Sequence, residues 1–587
     1  MRHPIVVIGG GAAGVLAVSA LLAEPGLDTE AGIVVVEAEE TIGPGLAYGR
    51  AAPHHLLNSP AGRMSADAAD PDDLLRWAAA QGVALGPLDF APRPLYGRYL
   101  AERFRTLQDA AGGRLRSVRG TAVAVEPAGP VAVGSGVDGP AAAGSGVAGL
   151  VADGSDVAGA DSAGPVGAGP VTDGPVAAGS VAEGLDAADP GTTGSDGGGP
   201  VAAGLVAAGL VATGSGVAGL VADGPVAAGP EIAGPEVAGP EVAGSEVAGS
   251  EVAGLAADDS VAHRLAVAEP VADGPVADGP GADRPDGALV RLADGRVIAA
   301  RHVILAIGNP PPSGRAIVGR APRTVVDPWA PGALLDTVRD GDRVLVVGSG
   351  LTAVDVVTRL ARARPRAHFV VTSRRLLMPA AHPLEPRPAV PLEGDASTPG
   401  RLLRTVRAAV RATDAPWQSV ADGIRPRVNA IWASWSLEQR RRFVEHISRR
   451  WEVLRHRMAP SVRAELDALI AEGRLELAAA PTGPMDVAVD CTGSVGVAAA
   501  GWSPLVDALG AAGLVRADAL GIGLDTAVDG AAIGADGRRS TLISVLGPAR
   551  RGSQWESTAV PEIREHALGI AARLAAAHPP ARPAAPA

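Results

Sequence analysis

Two glycine clusters hold the residues best spaced for chemistry. Gly9-Gly10-Gly11-Ala12-Ala13-Gly14 supplies Gly9, Gly11 and Gly14 in G-x-G-x-x-G spacing, with Ala13 inside the motif. The first glycine permits a tight turn, the second lets a pyrophosphate approach the backbone, and the third lets a helix pack on a strand. Glu37 follows 23 residues after Gly14, where a carboxylate can accept both hydroxyls of a ribose. The second cluster is Gly348-Ser349-Gly350-Leu351-Thr352-Ala353, with Ala in place of the third glycine and Asp355 just beyond. Where the first cluster has Glu37, the second has Ser373-Arg374-Arg375. Hydroxyl and guanidinium groups there suit a ribose 2′-phosphate, which favours NADPH over NADH. A surface pair of arginines is the alternative reading. Gly348, Gly350, Thr352, Ser373, Arg374 and Arg375 are the candidates at this second site.

Each cluster needs a strand before it and a helix after it. Ile5–Ile8 is a short apolar run ending in glycines, Ala12–Ala23 has a helical pattern, and Ile33–Val36 is a second apolar run stopping at Glu37. Val344–Val347 and His368–Val371 bracket the second cluster in the same way. Helices are expected near 72–81 and 96–111, and strands near 118–125 and 303–307. A hairpin is expected around Asp294-Gly295. A helix-rich, arginine-rich region spans about 400–475 and carries Trp417, Trp432, Trp435 and Trp451. Short strands return at 485–490 and 542–546.

Composition sets the outer bounds. Residues 128–285 are almost entirely Gly, Ala, Val, Pro, Asp, Glu and Ser, without Phe, Trp or Tyr. Such a stretch cannot bury enough apolar surface to offset the entropy of ordering, and it reads as a disordered insert. A dispensable expansion of repetitive coding sequence is weighed there against a specific binding role. About 430 residues remain, enough for two nucleotide-binding domains and a third element. The whole chain carries −13; the insert alone carries −19, with 21 acids against Arg264 and Arg284, which leaves the rest at about +6. That balance fits phosphate binding and gives no case for nucleic acid. The sequence has no lysine, which excludes a lysine Schiff base. Cys491 is the single cysteine, so an internal disulfide, a Cys-x-x-Cys pair and a cysteine-rich zinc site are excluded; no metal is assigned. The chain enters its first apolar run at Ile5 with no leader and has no transmembrane-length apolar run, which predicts a soluble cytoplasmic protein with no membrane partner.

Two dinucleotide fingerprints in one chain imply hydride transfer from a nicotinamide to a flavin, hence FAD and NADPH as cofactors. The missing cysteine pair removes disulfide reduction. Oxygen or a diffusible acceptor remains.

Several segments resemble a known family. They include Gly43-Pro44-Gly45-Leu46-Ala47-Tyr48-Gly49, the stretch His54-His55-Leu56-Leu57-Asn58-Ser59-Pro60-Ala61-Gly62-Arg63-Met64, and Pro92-Arg93-Pro94-Leu95-Tyr96-Gly97. Ser373-Arg374-Arg375, Trp451–Arg457, Asp490-Cys491-Thr492-Gly493 and Trp555–Arg564 agree. Together they are similar to the bacterial FAD-NAD(P)-binding proteins, relatives of the flavin-dependent N-hydroxylating monooxygenases. The resemblance implies that Gly43–Met64 lies over the isoalloxazine, with Leu57, Asn58 and Met64 at the ring and Asn58 on its polar edge. It implies that Trp555, Ser557 and Thr558 bring a helix N-terminus near the flavin, where its dipole would stabilise negative charge. Cys491 is read as a packed small residue.

His54, His55, His382 and His456 are candidate proton donors, set against ordinary satisfied or solvated histidines; His55 and His382 lie in family-like segments. Arg455 and Arg457 could anchor a substrate carboxylate, set against an exposed helix face. Asn58, His55 and Arg455 are the catalytic candidates.

The expected fold is α/β with two Rossmann-like domains, the FAD domain being discontinuous. Its parts fall at 1–127, 286–335 and 496–575. The NAD(P)-binding domain falls at 336–399 and 476–495, the helical element at 400–475, the insert at 128–285, and a disordered tail at 576–587. The expected function is NADPH-consuming oxidation of a small nucleophile, such as an amine nitrogen, by O2 through a flavin hydroperoxide. A flavin reductase or oxidase without oxygen insertion and a non-catalytic FAD-binding interaction protein are the alternatives. Oligomeric state is left open.

Overall fold

The computed structural model describes residues 3–128, 287–494 and 496–577, all within one compact unit. The expectations for the 128–285 insert and the C-terminal tail fall, past Ala128 and Ala577 respectively, outside the described residues.

The first sheet forms because short β-branched runs are buried on both faces. It holds β1 (Ile5–Ile8), β2 (Ile33–Glu37), β3 (Leu115–Arg119), β7 (His302–Leu305), β13 (Ala531–Ile533) and β14 (Arg539–Val545), in the order β13-β14-β7-β1-β2-β3. All neighbours are parallel except β13, which runs antiparallel to β14. Successive side chains go to opposite faces. Ile5, Val7, Ile33 and Val35 pack with helices Ala12–Ala23, Arg93–Ala110 and Val560–Ala577. Val6, Ile8, Val34 and Val36 join a core with an antiparallel sheet of β4 (Ala122–Pro127), β5 (Ala288–Leu292) and β6 (Val297–Ala300), and with helix Pro504–Ala511. β5 and β6 form the expected hairpin, with Gly295 in the left-handed region.

The second sheet is wholly parallel, in the order β11-β10-β9-β12-β8. Its strands are β8 (Arg323–Val325), β9 (Arg343–Val347), β10 (His368–Thr372), β11 (Leu475–Leu477) and β12 (Val487–Asp490). Val344, Val346, Phe369 and Val371 face helices Leu351–Ala363 and Pro460–Ala471, while Leu345, Val347 and Val370 face Ile317 and Met485.

Two expected boundaries shift. β8 belongs to this second sheet, although residues 286–335 read as part of the first domain. Helix Pro460–Ala471 packs on the same sheet through Leu466 and Leu469, so the independent helical element ends earlier, at Arg455.

That element has its own core. Helices Pro399–Ala412, Trp417–Ile424, Val428–Ser434, Leu437–His446 and Ser448–Arg455 surround Trp432, Trp435 and Phe443. Ser436 and Gln439 form a reciprocal cap at the start of Leu437–His446. Trp432 donates its indole N–H to the Gly552 carbonyl (2.9 Å), tying the element to the C-terminal segment. No helix among the described residues is long and apolar enough to cross a membrane.

Candidate active site

At the first fingerprint, the turn from β1 into helix Ala12–Ala23 is fixed by backbone sterics. Gly9 has φ +103°, and a Cβ there would overlap the Ala306 carbonyl oxygen. A Cβ on Gly14 would overlap the Gly9 carbonyl oxygen, so the third glycine sets the close approach of helix to turn. Gly11 precedes the helix, and space remains above it: the nearest atom to a Cβ there is the Gly45 Cα at 3.6 Å. Glu37 closes β2 with its carboxylate accepting from the Gly10 N–H and, at 3.0 Å, from the Glu39 N–H.

The second fingerprint repeats this construction. Gly348 has φ +110° and faces the Cys491 carbonyl oxygen; Gly350 precedes helix Leu351–Ala363, and the nearest atom to a Cβ there is Arg449 Nη1 at 3.9 Å. Both turns therefore offer a helix N-terminus with room for phosphates, as a dinucleotide requires.

Both open into one cavity of about 720 Å³. Gly11, Ala12 and Ala13 line it from the first turn, and Leu351, Thr352 and Asp355 from the second. Leu57, Asn58, Met64, Arg455 and Thr558 also line it. Pro44–Tyr48, Asn309–Pro312 and Asp327–Trp329 line it as well.

Asn58 is held from two sides. Arg93 donates from Nη2 to Asn58 Oδ1 (3.3 Å) and from Nε to the Leu56 carbonyl (2.9 Å). His382 Nε2 donates to the Asn58 carbonyl (2.9 Å). Burial lowers the His382 pKa to about 4, so the ring is neutral at pH 7. Arg93 also pairs with Asp355 (Nη1 to Oδ2, 2.7 Å), and both side chains are buried. Burial pushes the Asp355 carboxyl up, against the pull of Arg93.

His55 is not brought to the cavity. It is buried, with Nδ1 accepting from Ala52 N–H (3.2 Å) and Nε2 donating to the Asp355 carbonyl (3.0 Å). Burial, then Arg93 and His54, lowers its pKa to about 3. With both nitrogens engaged it joins the helix of the second fingerprint to the 52–58 loop instead of offering a proton. The histidine on the cavity wall is His456, which donates no side-chain hydrogen bond among the described residues. Burial, then Arg455, lowers its pKa to about 3, so it is a neutral acceptor.

Arg455 is buried and already engaged, with Nη2 3.1 Å from Glu562 Oε1 and 3.3 Å from Glu556 Oε2. Arg425 bonds Glu562 through Nε and through Nη2 (2.8 Å). Burial alone would raise the Glu562 carboxyl; the Arg425 bonds and the Arg425 and Arg455 charges overcome it and hold the pKa at about 2. Arg457 likewise is buried against Asp422 (2.6 Å).

Trp555 packs in the helical core, 4.9 Å from Trp432 and under the Arg551 guanidinium at 4.4 Å, so it does not line the cavity. Ser557 is fully buried with an unpartnered hydroxyl, next to Thr558 on the wall. Burial pushes the Cys491 thiol far up, as expected of a packed residue. Ser373 lies 2.8 Å from Ser349, Oγ to Oγ; Arg374 and Arg375 are exposed beside it.

Sequence reasoning missed the roles of Arg93, Asp355, Glu556 and Glu562. Three of them sit in segments singled out for other reasons, but their partners are more than a hundred residues away in the chain.

Residues 6–139 match the family model described as FAD-NAD(P)-binding. No curated protein matches the chain. Solved structures similar to it include an ornithine hydroxylase from Pseudomonas aeruginosa (10% identity, TM-score 0.46, covering 98% of this chain and 99% of that one). An ornithine N-hydroxylase from Kutzneria sp. 744 (12%, 0.48, 98% and 99%) and an L-lysine 6-monooxygenase from Pseudomonas syringae (13%, 0.46, 98% and 100%) are others.

Proposed function

We propose, from the match of residues 6–139 to the FAD-NAD(P)-binding family model, that the chain is an FAD-dependent, NADPH-consuming monooxygenase acting on a small nucleophile such as an amine nitrogen. The single observation that carries the reading is the shared cavity, lined at once by Gly11–Ala13 and by Leu351, Thr352 and Asp355. Two dinucleotide sites that open into one space can exchange electrons directly. Bound there, the pair of cofactors supplies hydride transfer and oxygen activation.

The chain's own groups bind and orient. Gly9, Gly11, Gly14 and Glu37 hold one nucleotide; Gly348, Gly350, Thr352, Ser373, Arg374 and Arg375 hold the other. Asn58, fixed by Arg93 and His382, presents its amide to the cavity. Leu57 and Met64 are apolar walls that exclude water. His456, neutral on the wall and with its pKa held at about 3, is too weak a base to deprotonate an ammonium, but it can accept a hydrogen bond from a substrate amine and orient it. Arg455, bonded to Glu556 and Glu562, positions that wall rather than offering a free guanidinium to a carboxylate. A cytoplasmic location, with NADPH at hand, is part of the same reading.

Anaerobic mixing with NADPH or NADH, followed by oxygen, while recording the flavin spectrum, tests it. NADPH should bleach the flavin faster than NADH, and an amine panel should yield a hydroxylated product after oxygen. Peroxide without product would replace monooxygenase with reductase or oxidase. A flavin that NADPH does not bleach would leave only a binding protein.

A further inference from the structure

The two nucleotide turns can be compared residue by residue. Gly9 N–H donates to Val36 O at 2.9 Å, and Gly348 N–H donates to Thr372 O at 2.8 Å. The next residue then meets the end of the following strand. In the first turn the Gly10 N–H donates to the Glu37 carboxylate; in the second, Ser349 Oγ meets Ser373 Oγ. Ser349 and Ser373 thus occupy the corner that in the first turn belongs to the ribose-binding acid.

A guanidinium from the helical element fills that corner. Arg449, on helix Ser448–Arg455, donates from Nη2 to Ser349 Oγ (3.3 Å) and to the Leu377 carbonyl (2.8 Å). Its Nη1 lies 3.9 Å from where a side chain on Gly350 would begin. The turn that brings Leu377 there contains Leu376 at φ +47°, the only non-glycine with positive φ among the described residues, its N–H bonded to Ser373 Oγ (3.0 Å). A bulky residue in that region is a costly conformation that needs a reason.

The charges at this corner are unbalanced. The nearest carboxylate to Arg449, Glu452, comes no closer than 4.0 Å and is itself bonded to Arg551. Arg375 donates to the Glu445 carbonyl (2.7 Å), a neutral acceptor, and Arg374 is exposed, with no ion pair among the described residues. Burial, with Arg375 adding to it, holds the Arg449 guanidinium below its ordinary pKa. The Arg449 guanidinium on Ser349 Oγ, with Arg374 and Arg375 following Ser373 in the chain and no carboxylate in hydrogen-bond contact with Arg449 among the described residues, makes a site for a dianion.

We propose that Arg449 is a specificity residue for the nicotinamide nucleotide, receiving the ribose 2′-phosphate together with Ser373 and Arg374. The inference rests on the reading that the second site takes NADPH. Its consequence is that the helical element, and not the second sheet alone, reads the cofactor. The same helix ends at Arg455, next to His456 on the cavity wall, so a nucleotide held by Arg449 also fixes the substrate side.

The test is calorimetric titration of the full-length, FAD-loaded protein with 2′,5′-ADP and with 5′-ADP, comparing wild type, Arg449→Gln and Arg449→Lys. We expect Arg449→Gln to weaken 2′,5′-ADP at least tenfold while 5′-ADP stays within twofold, and Arg449→Lys to recover part of the loss. Flavin content and melting temperature check that the variants fold. Equal losses for both ligands, or an unchanged 2′,5′-ADP affinity, overturn the assignment of Arg449. If wild type itself binds 2′,5′-ADP no tighter than 5′-ADP, the NADPH reading falls first and takes the inference with it.

Discussion

Arg93→Met is the substitution most informative about how the two nucleotide sites are joined. It removes the partner of Asp355, whose carboxylate lies 2.7 Å from the guanidinium with both side chains only 10% exposed. Breaking one side of a buried pair costs about 3–5 kcal/mol, because the other charge is left without compensation. The Leu56 carbonyl and the Asn58 amide oxygen lose donors as well, so a total near the upper end, about 5 kcal/mol, is expected. The deficit must depend on pH. Without Arg93 the Asp355 carboxyl, already raised by burial, rises further and binds a proton in the folded state before it does so in the unfolded one. Folding then takes up protons, so the mutant loses stability relative to wild type as pH rises, and the gap widens from pH 5 to pH 8. Asp355→Asn in the same background should cost less than the sum of the two single changes, with about 2–3 kcal/mol of coupling. Urea denaturation at both pH values, with flavin retention as a second readout, measures all of this. A deficit below about 1 kcal/mol, or additivity within about 0.5 kcal/mol, would show that the pair does not bear on the junction.

Gly11→Ala should leave the flavin-free protein within about 0.5 kcal/mol of wild type in urea melts, since its Cβ finds space, yet weaken FAD at least tenfold. Gly14→Ala, whose Cβ meets the Gly9 carbonyl, should instead cost about 3 kcal/mol of stability; the opposite pattern would misplace the phosphates. His55, His456 and His566, with pKa values of about 3, and His382, at about 4, are neutral in the fold but titrate near 6.5 when unfolded. The unfolded chain binds more protons below pH 6.5, so stability should fall from pH 7 to pH 5 by up to about 2 kcal/mol per histidine; a flat profile would contradict their burial. Replacing residues 129–286 with Asn-Gly should preserve flavin binding and melting temperature, because Ala128 N–H already bonds the Gly287 carbonyl (2.8 Å) at the end of the β4–β5 pair. Loss of flavin in that variant would give the segment a structural role.

The elements that were legible are those whose signal is local. Ile5–Ile8 followed by Gly9, Gly11 and Gly14 fixes strand, turn and helix within ten residues, and Val344–Gly350 does the same. β8 was not legible: three residues, Arg-Thr-Val, carry no period, and only pairing with β12 assigns them to the second sheet. His55 illustrates a different limit. Its neighbours Leu57 and Asn58 line the cavity, but the buried His55 ring bonds the Asp355 carbonyl, which removes it from the chemistry. Trp555 fails in the same way, drawn into the aromatic core by Trp432 and Phe443, while Thr558 three residues later reaches the wall. Arg449 gave no signal, because an arginine on an arginine-rich helix looks like a solvated face until Ser349 and Leu377 are seen beneath it.

Arg455, on the cavity wall, belongs to a buried network of charges behind it. Arg425, Arg455, Glu556 and Glu562 form a set with no net charge, and a buried ion network is weak evidence for stability, since apolar residues of similar volume often do as well. What the network does have is direction. Arg425 and Arg455 come from the helical element, Glu562 from the first turn of helix Val560–Ala577, and Glu556 from the segment leading into it. Asn429 and Trp451 bond Glu556 from the helical side as well, at 3.0 Å each. Apolar packing could hold these surfaces together, but it tolerates sliding; the bidentate Arg425–Glu562 contact specifies one register. The start of helix Val560–Ala577, which borders the cavity through Thr558, Ala559 and Val560, is thereby locked to the helix that carries Arg449 at one end and His456 just past the other. Position, rather than stability, is what this network supplies to the site.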